Sequence, residues 1–315
     1  MPVPARPSAP VAVIDVGSNS IKVLVVGRAG GTLRALRSHT LDARIGAGIS
    51  QEKPMLSEES MTRGLGAIRE LLAEAADFAP SRIVLVATSA VRDAANGAEF
   101  QRRVKAATGR ELRILSGEEE ANLIGRGLTC DPGLAGLENF YVFDLGGGSL
   151  ECLAFRQRRI EQAVSLPLGC VRLTEMFVAD PAQPFAAEAR EQVAALTRRV
   201  LADSKFAFNL PAAAGVATGG TVSTVRAMFG ARSGRSAEAA ASVITLTQLR
   251  SLRDALATLT LSQRQQIPGL PPSRADVFPA ALTTLIALAE AAQLTEFRHS
   301  FYNLRWGLAA QAFDG

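Results

Sequence analysis

The chain has 315 residues, of which 48% are hydrophobic and 20% charged, with a net charge of +4. That much apolar content excludes a disordered chain, and the length suits about two ordinary domains. The positive balance suits a polyanionic partner, but no Lys/Arg run is interleaved with aromatics, so a nucleic-acid surface is not indicated. Cys130, Cys152 and Cys170 match no zinc spacing, and their odd number argues against a disulfide framework. A reducing cytoplasm is therefore the expected compartment. No apolar run is long enough to span a bilayer, so no membrane partner is expected.

Met1–Pro10 lacks an apolar signal region and reads as a frayed lead-in. Val11–Ile14 is apolar, Asp15-Val-Gly-Ser-Asn-Ser20 follows, and Ile21–Val26 is apolar again: two buried strands joined by a turn. A helix is predicted over Ser57–Ala76, a strand over Ile83–Ala87 and a helical stretch from Asp93 to Ala107. A strand over Leu112–Leu115 and a helix from Ser116 come next. The second half begins as the first does. Phe140–Phe143 is apolar, Asp144-Leu-Gly-Gly-Gly-Ser149 follows, and Glu151–Phe155 reads as the return strand. The order apolar, apolar, Asp, apolar, Gly, x, x, Ser thus occurs at Val13–Ser20 and again at Val142–Ser149, which predicts two related domains. Helices are predicted over Ala186–Ser204, Thr247–Leu259 and Ala280–Ala292, with Gly/Pro-rich Ile267–Pro272 between the last two. Ser233–Ala240 reads as a mobile loop.

Five segments carry candidate chemistry. In the two Asp–Gly–Ser turns, Gly17, Ser18, Asn19 and Ser20, and again Gly146, Gly147, Gly148 and Ser149, can turn successive backbone N–H groups toward one anion. Their leading Asp15 and Asp144 cannot bind phosphate directly. They make sense if Mg²⁺ or Mn²⁺, or an attacking water, lies between carboxylate and phosphate. The bland alternative is a pair of plain hairpins. Gly219, Gly220 and Thr221 form a third strand–Gly-Gly–helix junction, offering N–H groups at a helix N-terminus or simply a tight turn. In Ala87-Thr-Ser-Ala-Val-Arg92, Ser89 and Arg92 place a hydroxyl and a cation at a capped helix start, where Arg92 could equally be a surface side chain. Ser116-Gly-Glu-Glu-Glu120 opens a helix: Ser116 and Glu119 fit a capping box, Glu118 is solvated, and Glu120 shares the apolar face of Leu123 and Ile124. An inward Glu120 is either a general base or a buried, paired carboxylate.

With only His39 and His299, a His-rich metal site is out, and a His-based triad would have to use one of two unflanked histidines. Cys152 to Arg158 has the spacing of cysteine phosphatases, but the residues between hold no Gly and read as a strand.

Taken in order, Asp15–Ser20, Met55–Gly64, Ala87–Arg92, Leu115–Ala121, Asp144–Ser149, Leu168–Val171, Thr218–Thr221 and Pro268–Asp276 resemble the exopolyphosphatase/guanosine pentaphosphate phosphatase family, over nearly the whole chain. The resemblance implies an α/β fold of duplicated actin-like ATPase (ribonuclease H-like) domains, at residues 1–126 and 127–315, with substrate in the cleft between them. The last helix could pack back on the first domain. It implies Glu120 as catalytic base, Asp144 and Glu151 near a divalent metal, and Arg92 with the Gly/Ser loops on phosphates. Metal-assisted attack of water would then release terminal orthophosphate from polyphosphate. The same chemistry on guanosine pentaphosphate, or a sensor that binds without turnover, are the alternatives. A homodimer is compatible with the sequence. The family's closing Ser-Asp-Gly-x-x-Arg-Glu-Gly reads here Ser300-Phe-Tyr-Asn-Leu-Arg-Trp-Gly307, and Leu150 stands where Thr is usual. Long forms of the family carry further helical domains. This chain resembles a short form, and a distributive enzyme favouring short polyphosphate is expected.

Overall fold

The computed structural model describes residues 8–211 and 213–314. Of the expected lead-in, Met1–Pro7 lie outside the described residues, whereas Ser8–Pro10 already belong to a strand. Contacts divide the chain into two units, one running to Pro132 and resuming at Tyr302, the other spanning Gly133–Phe301.

The first unit runs β1 (Ser8–Val16), β2 (Ile21–Ala29), β3 (Thr32–Leu41), α1 (Glu58–Ala76), β4 (Arg82–Ala87), α2 (Ser89–Asp93), α3 (Gly97–Thr108), β5 (Arg113–Ile114) and α4 (Gly117–Thr129). Its sheet has the order β3-β2-β1-β4-β5. The first three strands are antiparallel neighbours, and β4 and β5 run parallel to β1. Val11–Ile14 and Val23–Val26 are buried on both faces of the sheet, as continuous apolar runs should be. The helical stretch expected over Asp93–Ala107 is broken in two. Ala94 is extended, and Asn96 exchanges two hydrogen bonds with the Leu56 backbone, each 2.8 Å. A Cβ on Gly97 would collide with the Val91 carbonyl.

The second unit repeats the plan. It runs β6 (Phe140–Leu145), β7 (Leu150–Arg156), β8 (Arg159–Leu166), α5 (Cys170–Phe177), α6 (Ala187–Asp203), β9 (Ala214–Thr218), α7 (Gly219–Arg232), β10 (Val243–Thr245), α8 (Leu246–Ala257), α9 (Leu261–Arg264), α10 (Phe278–Ala291) and β11 (Glu296–His299). The sheet order is β10-β11-β9-β6-β7-β8, again an antiparallel ribbon whose first strand continues into parallel neighbours. Helix α10 is apolar all round and is buried almost throughout, as such a helix must be. The loop expected to be mobile at Ser233–Ala240 is a series of turns, tied down by Arg226, whose Nη2 donates to the carbonyls of Glu238 and Ala240. The last helix, α11 (Leu304–Asp314), belongs to the first unit, where it packs on α4 and β1.

Two sheets that share a five-strand order, the second extended by antiparallel β10, are the duplicated ribonuclease H-like arrangement of the actin-like ATPase fold. Among the described residues, no helix is long and apolar enough to cross a membrane.

Candidate active site

In the first unit, Asp15 is next to last in β1, opposite Lys22 of β2. The turn between the strands is closed by the Gly17 N–H, which donates to the Ser20 carbonyl at 3.2 Å. Two carbonyls of the turn are taken from the side: Ser18 accepts from Gly46 at 2.8 Å and Asn19 from Arg44 at 2.9 Å. A trans peptide sends its N–H opposite to its C=O, so the N–H groups of Asn19 and Ser20 point the other way, where an anion can use them. Ser18, Asn19 and Ser20 are all buried. Because β4 runs parallel to β1, the start of α2 lies beside this turn, and Ser18 Oγ is 3.0 Å from Ser89 Oγ.

Two groups in this turn lack protein partners. Asp15 Oδ1 and both amide atoms of Asn19 are buried without a hydrogen bond. Burial raises the carboxyl pKa of Asp15, against the opposing pull of Lys22 and Arg305.

The start of α4 is the capping box that Ser116 and Glu119 predict. Glu118 is exposed, and Glu120 turns inward with Leu123 and Ile124. Arg92 Nη1 donates to Glu120 Oε2 at 2.7 Å and to the Leu115 carbonyl at 3.2 Å. Glu120 is thus both inward and paired, and Arg92 spends part of its fork on orienting it.

The second unit builds the same turn. Asp144 is next to last in β6, opposite Glu151 of β7. The Gly146 N–H donates to the Ser149 carbonyl at 3.0 Å. Here the N-terminus of α5 takes the carbonyls: Cys170 donates to Gly146 at 3.0 Å and Val171 to Gly147 at 2.8 Å, while Arg172 Nε donates to Gly148 at 3.1 Å. The N–H groups of Gly147, Gly148 and Ser149 therefore face the opposite side, as in the first turn. A Cβ on Gly169 would collide with Gly147 and Gly148, so glycine there lets the two backbones touch.

The junction of β9 with α7 lies against this turn, since β9 is parallel to β6 and Thr218 pairs Asp144. Gly219 has φ +88°, and a Cβ there would collide with Asp144 Oδ1. The Thr221 hydroxyl donates to the Leu145 carbonyl at 3.2 Å, which leaves its backbone N–H, with that of Gly220, as the groups the helix start can offer. Glu151 is buried and accepts from Ser165 Oγ at 2.7 Å.

Sequence reading passed over Arg172 here, and counted Arg274, within Pro268–Asp276, only as a scattered cation. Arg172 joins the Gly148 carbonyl from α5, and the Arg274 guanidinium lies against Gly220 so closely that a Cβ there would strike it. Only the Gly-rich segments they reach signalled a site, because each Arg arrives from a distant part of the sequence.

Among the described residues, no group of three or more His, Cys, Asp or Glu could hold a metal ion by itself. Each unit by itself nevertheless offers carboxylate oxygens that suit a hard cation. Asp144 and Glu151 face each other across two strands, where like charges repel, and Asp15 has a buried oxygen without a partner. Mg²⁺ is commonly held by one or two carboxylates with substrate phosphates completing its shell.

The sequence profile of the Ppx/GppA phosphatase family matches residues 24–314. Among solved structures, an exopolyphosphatase from Cytophaga hutchinsonii is 23% identical, with a TM-score of 0.87, over 97% of this chain and 98% of that one. A Ppx/GppA family member from Aquifex aeolicus is 24% identical, with a TM-score of 0.77, over the same shares of the two chains. These similarities support the fold over nearly the whole chain.

Proposed function

The chain belongs to the Ppx/GppA phosphatase family, a family of phosphoanhydride hydrolases, and from that premise we propose that it is an exopolyphosphatase releasing terminal orthophosphate from inorganic polyphosphate. The observation that carries this reading is the repeated turn. In each unit the carbonyls are bound on one side and the N–H groups of Asn19 and Ser20, or of Gly147, Gly148 and Ser149, are left on the other. Such cradles suit phosphate oxygens, and phosphoryl transfer needs mainly positioning and electrostatics.

In the proposed reaction, water forms an oxygen–phosphorus bond to the terminal phosphorus as the bridging anhydride bond breaks. The shortened polyphosphate leaves with the bridging oxygen. Glu120 accepts the water proton, and Arg92 holds Oε2 of Glu120 in place for that step. The turn N–H groups stabilise the charge that spreads over the equatorial oxygens. In the second unit Asp144 and Glu151 would hold Mg²⁺ or Mn²⁺, and in the first unit Asp15 offers its unpartnered oxygen to such an ion, which when bound supplies neutralising charge beside the polyanion.

The family covers a second substrate, guanosine pentaphosphate. The deciding experiment measures phosphate release from long polyphosphate, short polyphosphate and guanosine pentaphosphate, with and without chelator. Glu120→Gln should lower kcat at least about a hundredfold with KM little changed, while Glu118→Gln, on the exposed face, stays near wild type. A Glu120→Gln enzyme with near-normal kcat would remove Glu120 as the base.

A further inference from the structure

His299 looked isolated in the sequence, yet in the second unit it is the buried centre of a hydrogen-bond chain. Its Nε2 lies 3.2 Å from Ser223 Oγ and its Nδ1 3.0 Å from Arg226 Nη1. Ser223 Oγ is also 2.8 Å from the Gly219 carbonyl. That carbonyl can only accept, so the hydroxyl hydrogen goes to it, and Ser223 Oγ must accept from His299. The imidazole is then protonated on Nε2 and bare on Nδ1, where the guanidinium donates. One neutral tautomer satisfies all three bonds. An imidazolium would set an N–H against the Arg226 cation. Burial, and then Arg226, accordingly hold the His299 pKa down at about 3.

The chain has an anchor and an end. At the anchor, Arg226 is buried, donates to the carbonyls of Glu238 at 3.0 Å and Ala240 at 2.6 Å, and lies 4.8 Å from the centre of the Phe301 ring. The His299 ring meets the same ring edge-to-face, with centroids 4.5 Å apart. At the end is Gly219, the residue with φ +88° that walls the Asp144 carboxylate. A Ser bonding back to the carbonyl four residues earlier is common in helices. Here, however, the hydroxyl is itself fixed by a buried ring that is fixed by a buried cation.

We infer that His299, Ser223 and Arg226 are positioning residues that set the Gly219 peptide and, through it, the Asp144 carboxylate and the N–H groups at the start of α7. The inference rests on the functional reading above for its effect on turnover, and on geometry alone for its effect on the loop.

The test uses the full chain with Ser223→Ala, Ser223→Thr and His299→Ala. Amide hydrogen exchange over residues 215–222 should quicken at least about tenfold in Ser223→Ala and His299→Ala, with little change in α10, and return toward wild type in Ser223→Thr. On whichever substrate the wild type turns over, Ser223→Ala should lose at least about tenfold in kcat with KM little changed, because the reacting groups are misplaced rather than removed. Unchanged exchange over 215–222, or an equal quickening everywhere, would overturn the inference. A wild-type enzyme inactive on all three substrates would sink the functional reading, while the exchange measurement would still decide the chain. Because His299→Ala could fail to fold, Ser223→Ala, which removes only the last bond, decides alone if needed.

Discussion

At the scale of single residues, Asp15 and His299 carry their functions at opposite electrostatic costs. Burial raises the Asp15 pKa, so the folded state binds more protons than the unfolded one at pH above the ordinary 3.8. Stability from this group is therefore present at acid pH and lost as pH rises through the folded value. Asp15→Asn removes that cost. It should melt higher than wild type at pH 7.5, with the gap closing at acid pH, while phosphate release falls at least about a hundredfold. A lower melting point at pH 7.5 would mean that the Asp15 carboxylate is stabilising. His299 works the other way. Its pKa falls from 6.5 to about 3, so the unfolded state binds more protons in between. Its contribution is whole above pH 6.5 and drains away as pH falls toward 3, by up to about 1.4 kcal/mol per pH unit. The charged groups facing it are Arg226 and, beyond it, Glu238. His299→Gln should flatten the dependence of the urea midpoint on pH in that window, and an unaltered slope would place the titration elsewhere.

Among the elements, the two strand–turn–strand units repeat down to register: Asp15 faces Lys22 where Asp144 faces Glu151. The junctions beside them differ. Ser89 opens α2 next to the first turn, whereas Gly219 opens α7 next to the second, in a left-handed conformation that costs a non-glycine residue about 1–2 kcal/mol. Gly219→Ala should destabilise by at least that much and, by displacing Asp144, lose more turnover than stability. Full activity with a normal melting curve would show that the junction tolerates a side chain. The central strands β1, β2, β4, β6, β7 and β9 were legible in the sequence because burial on both faces demands apolar runs. Strands β3 and β8 were not: they lie at sheet edges with mostly exposed or half-exposed side chains, and only backbone pairing defines them. The break between α2 and α3 was equally hidden, since Asn96 and Gly97 act through Leu56 and Val91, contacts that no helical period encodes. Of the candidate site, the Gly/Ser turns and the inward Glu120 were readable from residue type and spacing. The Arg92–Glu120 pair, Arg172, Arg274 and the His299 chain were not, because each is made by side chains brought together from distant segments.

For the molecule as a whole, the notable feature is that the first unit is discontinuous. Helix α11 returns to it after the second unit and buries Leu304, Trp306 and Leu308. The fit is close: a Cβ on Gly307 would collide with the Leu123 carbonyl, and one on Gly127 with the Asn303 carbonyl. Residues 133–301 made alone should therefore show a cooperative urea transition, whereas residues 1–132 alone should not, and fusing residues 302–315 to the latter should restore one. Cooperative unfolding of 1–132 by itself would show that α11 is dispensable. The same discontinuity bears on how the chain is born. Domains usually fold from the N-terminus during synthesis, at about 5–20 residues per second. Here the first unit lacks α11 until residues 133–301 have been translated, roughly ten to thirty seconds at that rate. Meanwhile the surfaces of α4 and β1 that α11 will cover stay open, so a unit begun before its neighbour is completed after it.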